Sequence, residues 1–240
     1  MKILHYFITK FLNLICPPQC PICHKPIEEP HTLCPSCYAK LHFLAKPCCE
    51  ICGRPFEYVA LDTVICGACA QHRPYFSMAR AVLSYDSFSK HLILAYKHGD
   101  HTELTPLLVK FLRQADKAVF ENIDVIVPVP LHWTRALFRR FNQAALLGQA
   151  LARATHIPFS VRLLKRVRHT PSQGHMNQKQ REKNVKNAFT VPRQESVKDR
   201  RILVVDDVMT TGATLNECAR TLLKAGAKEV KVITLYRVLR

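Results

Sequence analysis

Beyond residue 80 the chain alternates between short, nearly all-apolar runs and longer stretches with an apolar residue at every third or fourth place. Residues 81–86 (AVLSYD) read as a strand. Residues 87–97 set Phe88, Leu92 and Tyr96 four apart, the spacing of one helix face. A second helix fits 102–115, with Thr102 as its N-cap and Leu104, Leu107, Leu108 and Phe111 on one side. Residues 123–131 (IDVIVPVPL) are a buried strand ending at Pro128 and Pro130. Asn142 can cap the next helix, along which Leu147, Ala150, Leu151 and Ala154 form a stripe. The most apolar strand is RRILVVDD, unbroken from Ile202 to Val205. A helix over 213–225, stopped by Gly226, and a last strand over 229–238 follow it. Strands that are apolar on both faces, with helices between them, predict a mainly parallel sheet covered on both sides.

The first 75 residues follow a different pattern. Of eleven cysteines, ten lie between Cys16 and Cys69, and Cys218 stands alone. This divides the chain into a cysteine-rich head, 1–75, and an α/β body, 76–240. Eight of the cysteines form four CxxC pairs: Cys20 with Cys23, Cys34 with Cys37, Cys49 with Cys52, and Cys66 with Cys69. Ten residues separate the first two pairs and thirteen the last two. A CxxC turn aims two thiolates at one tetrahedral ion, and a second CxxC closes the shell. A module of about 50 residues buries too little surface to fold unaided, so bound metal supplies the folding energy. Four thiolates leave no open position, which makes the zinc structural, with one or two ions expected. Cys16 and Cys48 are left over, and Cys48 could replace Cys49 as a ligand. His24 and His31 read as bystanders. The head resembles a double zinc ribbon.

The N-terminal stretch MKILHYFITKFLNLICPP is interrupted by Lys10 and lacks a small-x-small cleavage pattern. It reads as an amphipathic helix or strand, not a secretory signal. A cytoplasmic, reducing location is therefore expected, where clustered cysteines mean metal and not disulfides. No apolar run reaches the ~18 residues of a membrane helix. With 48% hydrophobic and 22% charged residues, the chain can bury a core, which excludes disorder.

Charge narrows the partners. The chain carries 35 Lys and Arg against 18 Asp and Glu, a formal net charge of +17. Residues 131–186 hold twelve of the basic residues and one acid, Glu182. Phosphates are the natural partners of such a surface, in a small ligand or in nucleic acid. Arg139, Arg140, Lys165, Arg166, Arg168, Lys179 and Arg181 are candidate contacts to single-stranded DNA, with Trp133, Phe138 and Phe141 as stacking rings. The alternative is a solvated basic face with its aromatics in the core.

The chemistry concentrates at 202–214 (ILVVDDVMTTGAT). A buried parallel strand delivers Asp206 and Asp207 to its carboxyl end, where ligands bind in such sheets. The loop of Thr210, Thr211, Gly212, Ala213 and Thr214 can turn several N–H groups toward one anion, and the helix N-terminus behind it adds positive charge. Two carboxylates facing a phosphate would repel it, so they suit neutral hydroxyls such as a ribose diol. These thirteen positions resemble the phosphoribosyl pyrophosphate (PRPP) motif of type I phosphoribosyltransferases. That resemblance implies a 5'-phosphate on 210–214 and ribose hydroxyls on Asp206 and Asp207, the residues assigned to catalysis.

Further stretches are similar to the ComF family: 127–131 with Phe141–Gln143, AYKHG at 95–99, and RHTPSQ at 168–173 leading to REKNV at 181–185. Arg140 stands where that family usually has glycine. The resemblance implies a type I phosphoribosyltransferase fold with an N-terminal zinc ribbon, and Mg2+ arriving with PRPP. It also implies a pyrophosphate loop at His132, Trp133, Thr134 and Arg135, and a lid over 170–183. The process it implies is DNA uptake in natural transformation, alongside a competence helicase and DNA-processing proteins. Three functions stay open at this point: a PRPP-dependent transferase of a nucleobase or amine, a competence protein that binds single-stranded DNA, and a scaffold with a vestigial site.

Overall fold

The computed structural model describes residues 17–57, 64–98, 101–131, 141–168, 170 and 177–239. Four strands, β1 (Met78–Ser84), β2 (Val125–Pro128), β5 (Arg201–Met209) and β6 (Glu229–Arg237), make one parallel sheet in the order β1-β6-β5-β2. The helices are α1 (Pro35–Tyr38), α2 (Gly67–Gln71), α3 (Lys90–His98), α4 (Thr105–Leu112), α5 (Gln143–Thr155), α6 (Gln178–Val185) and α7 (Ala213–Lys224). Two two-residue strands, β3 (Lys165–Arg166) and β4 (Phe189–Thr190), pair antiparallel on either side of α6.

The unbroken apolar run of β5 is explained by burial on both faces. Leu203 and Val205 join an apolar cluster with α3, α4 and α5, whereas Ile202 and Val204 join one with α7. Successive strand residues point to opposite faces, so both sets must be apolar. β5 continues past its two aspartates because β6 pairs with it to the end, Val208 opposite Tyr236 and Met209 opposite Arg237.

Several caps follow the sequence. The Asn142 side chain accepts from the Ala145 amide at 3.4 Å and starts α5. Gly226, at φ +98°, follows the end of α7. The second helix differs from expectation. Thr102 does not cap it; a 3-10 turn spans Thr102–Leu104, and α4 begins at Thr105 with proline in its first turn. The Thr105 hydroxyl donates to the Thr102 carbonyl at 2.6 Å, a local bond that favours the tighter turn. The preceding helix begins late, at Lys90, because the Asp86 carboxylate turns back to accept from the Phe88 and Ser89 amides at 2.9 and 2.7 Å.

The cysteine-rich segment is part of the same packing. Residues 42–44 lie antiparallel to β1, with Ser84 N–H donating to His42 and Leu44 N–H to Val82. Cys20, Cys34 and Cys37 belong to the apolar cluster that holds Leu83, Leu108 and Leu112. At the opposite edge of the sheet, Ile126 pairs with the 158–160 segment. Among the described residues no helix is long and apolar enough to cross a membrane.

Candidate metal centres and anion site

The two cysteine tetrads are built by one local recipe, used twice. In each, the first CxxC sits in a tight hairpin: Cys20 N–H donates to Lys25 O, and Cys49 N–H to Arg54 O. The residue closing the turn has positive φ, His24 at +59° in one and Gly53 at +68° in the other. The second CxxC opens a short helix, with Cys34 as N-cap of α1 and Cys66 as N-cap of α2. The four Sγ atoms of Cys20, Cys23, Cys34 and Cys37 all lie within 4.8 Å of one another, as do those of Cys49, Cys52, Cys66 and Cys69.

This geometry fits zinc. Zn–S bonds of about 2.3 Å in a tetrahedron put sulfurs about 3.8 Å apart. Cys23 and Cys34 lie at 3.5 Å, and Cys52 and Cys66 at 3.7 Å. The surroundings favour thiolate at some of these cysteines, whereas burial pushes Cys37, Cys52 and Cys69 up. The Ser36 hydroxyl and the Cys37 amide draw Cys34 down to about 6. Burial raises Cys49, but the Cys66 and Cys52 amides outweigh it and bring it to about 7. Cys48 is half-buried and outside the second tetrad, and His24 and His31 belong to neither. Cys16 lies outside the described residues.

At the carboxyl end of β5 a cavity of about 430 Å³ opens. Asp206, Asp207, Thr210, Gly212, Ala213 and Thr214 line it together. Gly212 is the N-cap of α7 at φ +79°, and a Cβ there would sit 2.8 Å from Met209 Cε. The positive φ is what favours glycine there, since Met209 Cε is the end of a flexible side chain. Thr211, expected from the sequence to hold phosphate, is not among the lining residues; its hydroxyl accepts from the Ala213 amide at 3.4 Å.

The two acids have different surroundings. Asp207 is ion-paired with Lys97 of α3 at 2.9 Å. Asp206 accepts from the Asp207 amide at 2.9 Å. Burial, then the neighbouring Asp207 charge, pushes its carboxyl up to about 7. Arg181 of α6 is buried and donates to the Thr210 hydroxyl at 2.7 Å. Arg166 also lines the cavity, its guanidinium 5.4 Å from the Phe189 ring and bonded to Thr170.

Arg166 and Arg181, read from sequence as DNA contacts, line the cavity at the end of β5. Lys165, Arg168 and Lys179 are exposed, and Arg168 spends two bonds on the carbonyls of Asn184 and Lys186. Phe141 is half-buried beside a neighbouring cavity that Phe159 and Arg162 also line. His132, Trp133, Thr134, Arg135, Phe138, Arg139 and Arg140 lie outside the described residues, as does most of 170–176. Sequence reasoning missed Lys97 as a partner of the aspartates, although the AYKHG stretch carried it.

A family model described as a double zinc ribbon domain matches residues 11–70, and one described as a phosphoribosyl transferase domain matches residues 107–240. Competence protein F of Haemophilus influenzae is 34% identical over 85% of this chain and 90% of its own length. DNA utilization protein YhgH of Escherichia coli is 34% identical over 94% of this chain and 100% of its own. Competence protein ComFC of Bacillus subtilis is 30% identical over 89% of this chain and 86% of its own. With a zinc ribbon and a parallel-sheet transferase domain in one chain, and relatives that align along nearly all of it, the chain belongs to the ComF family of phosphoribosyltransferase-fold proteins.

Proposed function

We propose that this chain binds PRPP or a related ribose 5-phosphate at the end of β5, and that it serves DNA uptake by binding incoming single-stranded DNA. One observation supports the first part above others: Asp206, Asp207, Thr210, Gly212, Ala213 and Thr214 line one cavity, whose cations come from three separate elements, Lys97, Arg166 and Arg181. The 5'-phosphate takes the loop amides and the N-terminal end of α7. Arg181, already on Thr210, adds charge at the same place. Asp206 accepts from ribose hydroxyls, and Lys97 is ion-paired with Asp207 beside it. Mg2+ has hard oxygen preferences that suit the diphosphate, and Asp207 is already occupied by Lys97, so the ion arrives with the ligand.

Calorimetry with PRPP and Mg2+ tests this part. Wild type is expected to bind with micromolar affinity, and Asp206→Ala/Asp207→Ala to lose about 100-fold or more, as befits two charge-assisted contacts. Wild type that takes up no PRPP would refute the assignment.

The names of the relatives and the remaining surface support the DNA part. Lys165, Lys179, Lys183 and Lys186 are exposed around α6 and outside the cavity lining. Affinity for an oligo-dT strand should fall steeply with salt, each phosphate contact contributing a slope of about −0.7 on logarithmic axes. Lys165→Ala/Lys179→Ala should flatten that slope by about 1.4 units. Salt-independent affinity would rule out phosphate contacts.

A second reading, active phosphoribosyl transfer, is favoured by Asp206. A carboxyl that titrates near 7 exchanges a proton at neutral pH, as general acid–base transfer requires. The acceptor nitrogen would bond to C1 of the ribose, the C1–O bond would break with its electron pair leaving on diphosphate, and the ionised Asp206 carboxylate would take the acceptor's proton. Pyrophosphate release on adding nucleobases with PRPP distinguishes turnover from binding alone.

A further inference from the structure

Arg237 is the last residue of β6 and is buried, yet no carboxylate pairs with it among the described residues. Its partners are the Cys52 carbonyl, the Cys52 sulfur at 3.5 Å and the Met209 sulfur at 3.4 Å. A buried guanidinium cannot shed its charge and needs a counter-charge nearby. The group that supplies one is the second tetrad. Four thiolates on one divalent zinc ion carry a net charge of −2, and N–H donors to such sulfurs orient the ligands and ease that charge.

The other end of this contact is the ligand loop. Met209 is buried and directly precedes Thr210. Its Cε fills the space that a Cβ on Gly212 would need. It stands opposite Arg237 in the β5–β6 register, and its carbonyl accepts from Val238 N–H at 2.9 Å. Cys52, Arg237, Met209 and Gly212 thus form a continuous packed line from the metal centre to the loop.

We infer that Arg237 is a positioning residue that ties the second zinc tetrad to the phosphate loop, so that metal in that tetrad and anion binding at 210–214 strengthen each other. The inference rests on reading 210–214 as an anion loop. Without the metal, Cys52 is no longer held in a closed shell, and its carbonyl and sulfur no longer fix Arg237. Arg237 can then move, and Met209 loses its support beneath Gly212. The effect is reciprocal by thermodynamic necessity: bound anion holds the loop, Met209 and Arg237 in place and so slows metal loss.

The experiment uses the full-length zinc protein in three forms: wild type, Arg237→Met and Arg237→Lys. A chromogenic chelator reads the rate of zinc release, calorimetry reads PRPP affinity, and amide exchange reads protection across 209–214. Arg237→Met is expected to release one zinc equivalent at least tenfold faster and to bind PRPP at least tenfold more weakly. Arg237→Lys, which keeps the charge without the fork, should recover part of both. Adding PRPP should slow zinc release from wild type. Zinc release and PRPP affinity both within twofold of wild type in Arg237→Met would overturn the inference. Two arms do not depend on that variant folding or on PRPP being the ligand. In wild type, stripping zinc should speed exchange at 209–214, and unchanged exchange there would overturn the coupling. Failure of wild type to bind PRPP, with exchange still zinc-dependent, would condemn the ligand assignment and leave the coupling standing.

Discussion

Replacing Asp206 with asparagine will make the protein more stable at pH 8 while removing its ability to hold a ribose ligand. The reasoning is linkage. The unfolded carboxyl ionises near its ordinary value of 3.8, the folded one only near 7, because burial and then the Asp207 charge oppose ionisation. A raised carboxylate pKa means that the folded state binds the extra proton. Stability attached to this group is therefore full below about pH 4, falls as pH rises toward 7, and is lost above it. The gap between 3.8 and about 7 corresponds to at most about 4 kcal/mol. Asparagine is never ionised and escapes that cost. Thermal melts of Asp206→Asn and wild type at matched pH should already differ in the variant's favour at pH 5 and reach the full separation by pH 8. A variant melting at or below wild type at pH 8 would show that the ionised carboxylate is not a burden. With PRPP the order should reverse, since wild type gains binding stabilisation and the variant does not. A site that costs stability when empty and recovers it on binding is a common signature of function over folding.

The second large effect concerns the metal centres. Cys37→Ser should lower the melting temperature of the whole chain in one transition, not detach a head from a stable body. Cys37 is buried in the cluster that also contains Leu83 of β1 and Leu108 of α4. Tyr38, and Phe43 within the strand-like 42–44 segment, pack against Phe111 of α4 with ring centroids 6.3 and 5.7 Å away. Structural zinc supplies about 10–16 kcal/mol in isolated peptides, comparable to or larger than the whole stability of a typical domain. Losing even part of that leaves the β1 edge of the sheet without its cover. Scanning calorimetry with parallel zinc analysis should show a single transition lowered by about 10 °C or more, roughly 3 kcal/mol or more for a chain of this size. An unaltered body transition beside a lost small one would contradict this.

The cysteine tetrads are legible in the sequence because a CxxC turn and a helix N-cap are local devices, each complete within a few residues. The same holds for the 202–214 stretch. A run buried on both faces, then acids, threonines and one glycine at positive φ, needs no distant partner to be recognised. The Asn142 cap is legible for the same reason, and Thr102 misleads because Thr105 offers a competing local bond.

What the sequence alone determined, then, is the alternation of strands and helices, two zinc shells and the backbone of an anion loop. Which elements meet was decided only by the tertiary structure. Lys97, Arg181 and Arg237 lie on three separate elements, and nothing in their neighbours announces where each one goes. Hydrophobic periodicity says that a face is covered but is silent about which element covers it. The order β1-β6-β5-β2 brings the end of α3 to Asp207 and Arg237 to Cys52, and so turned scattered cations into parts of one ligand site and one metal centre. Such pairings come from packing a whole chain around one sheet, and a linear pattern carries no record of it.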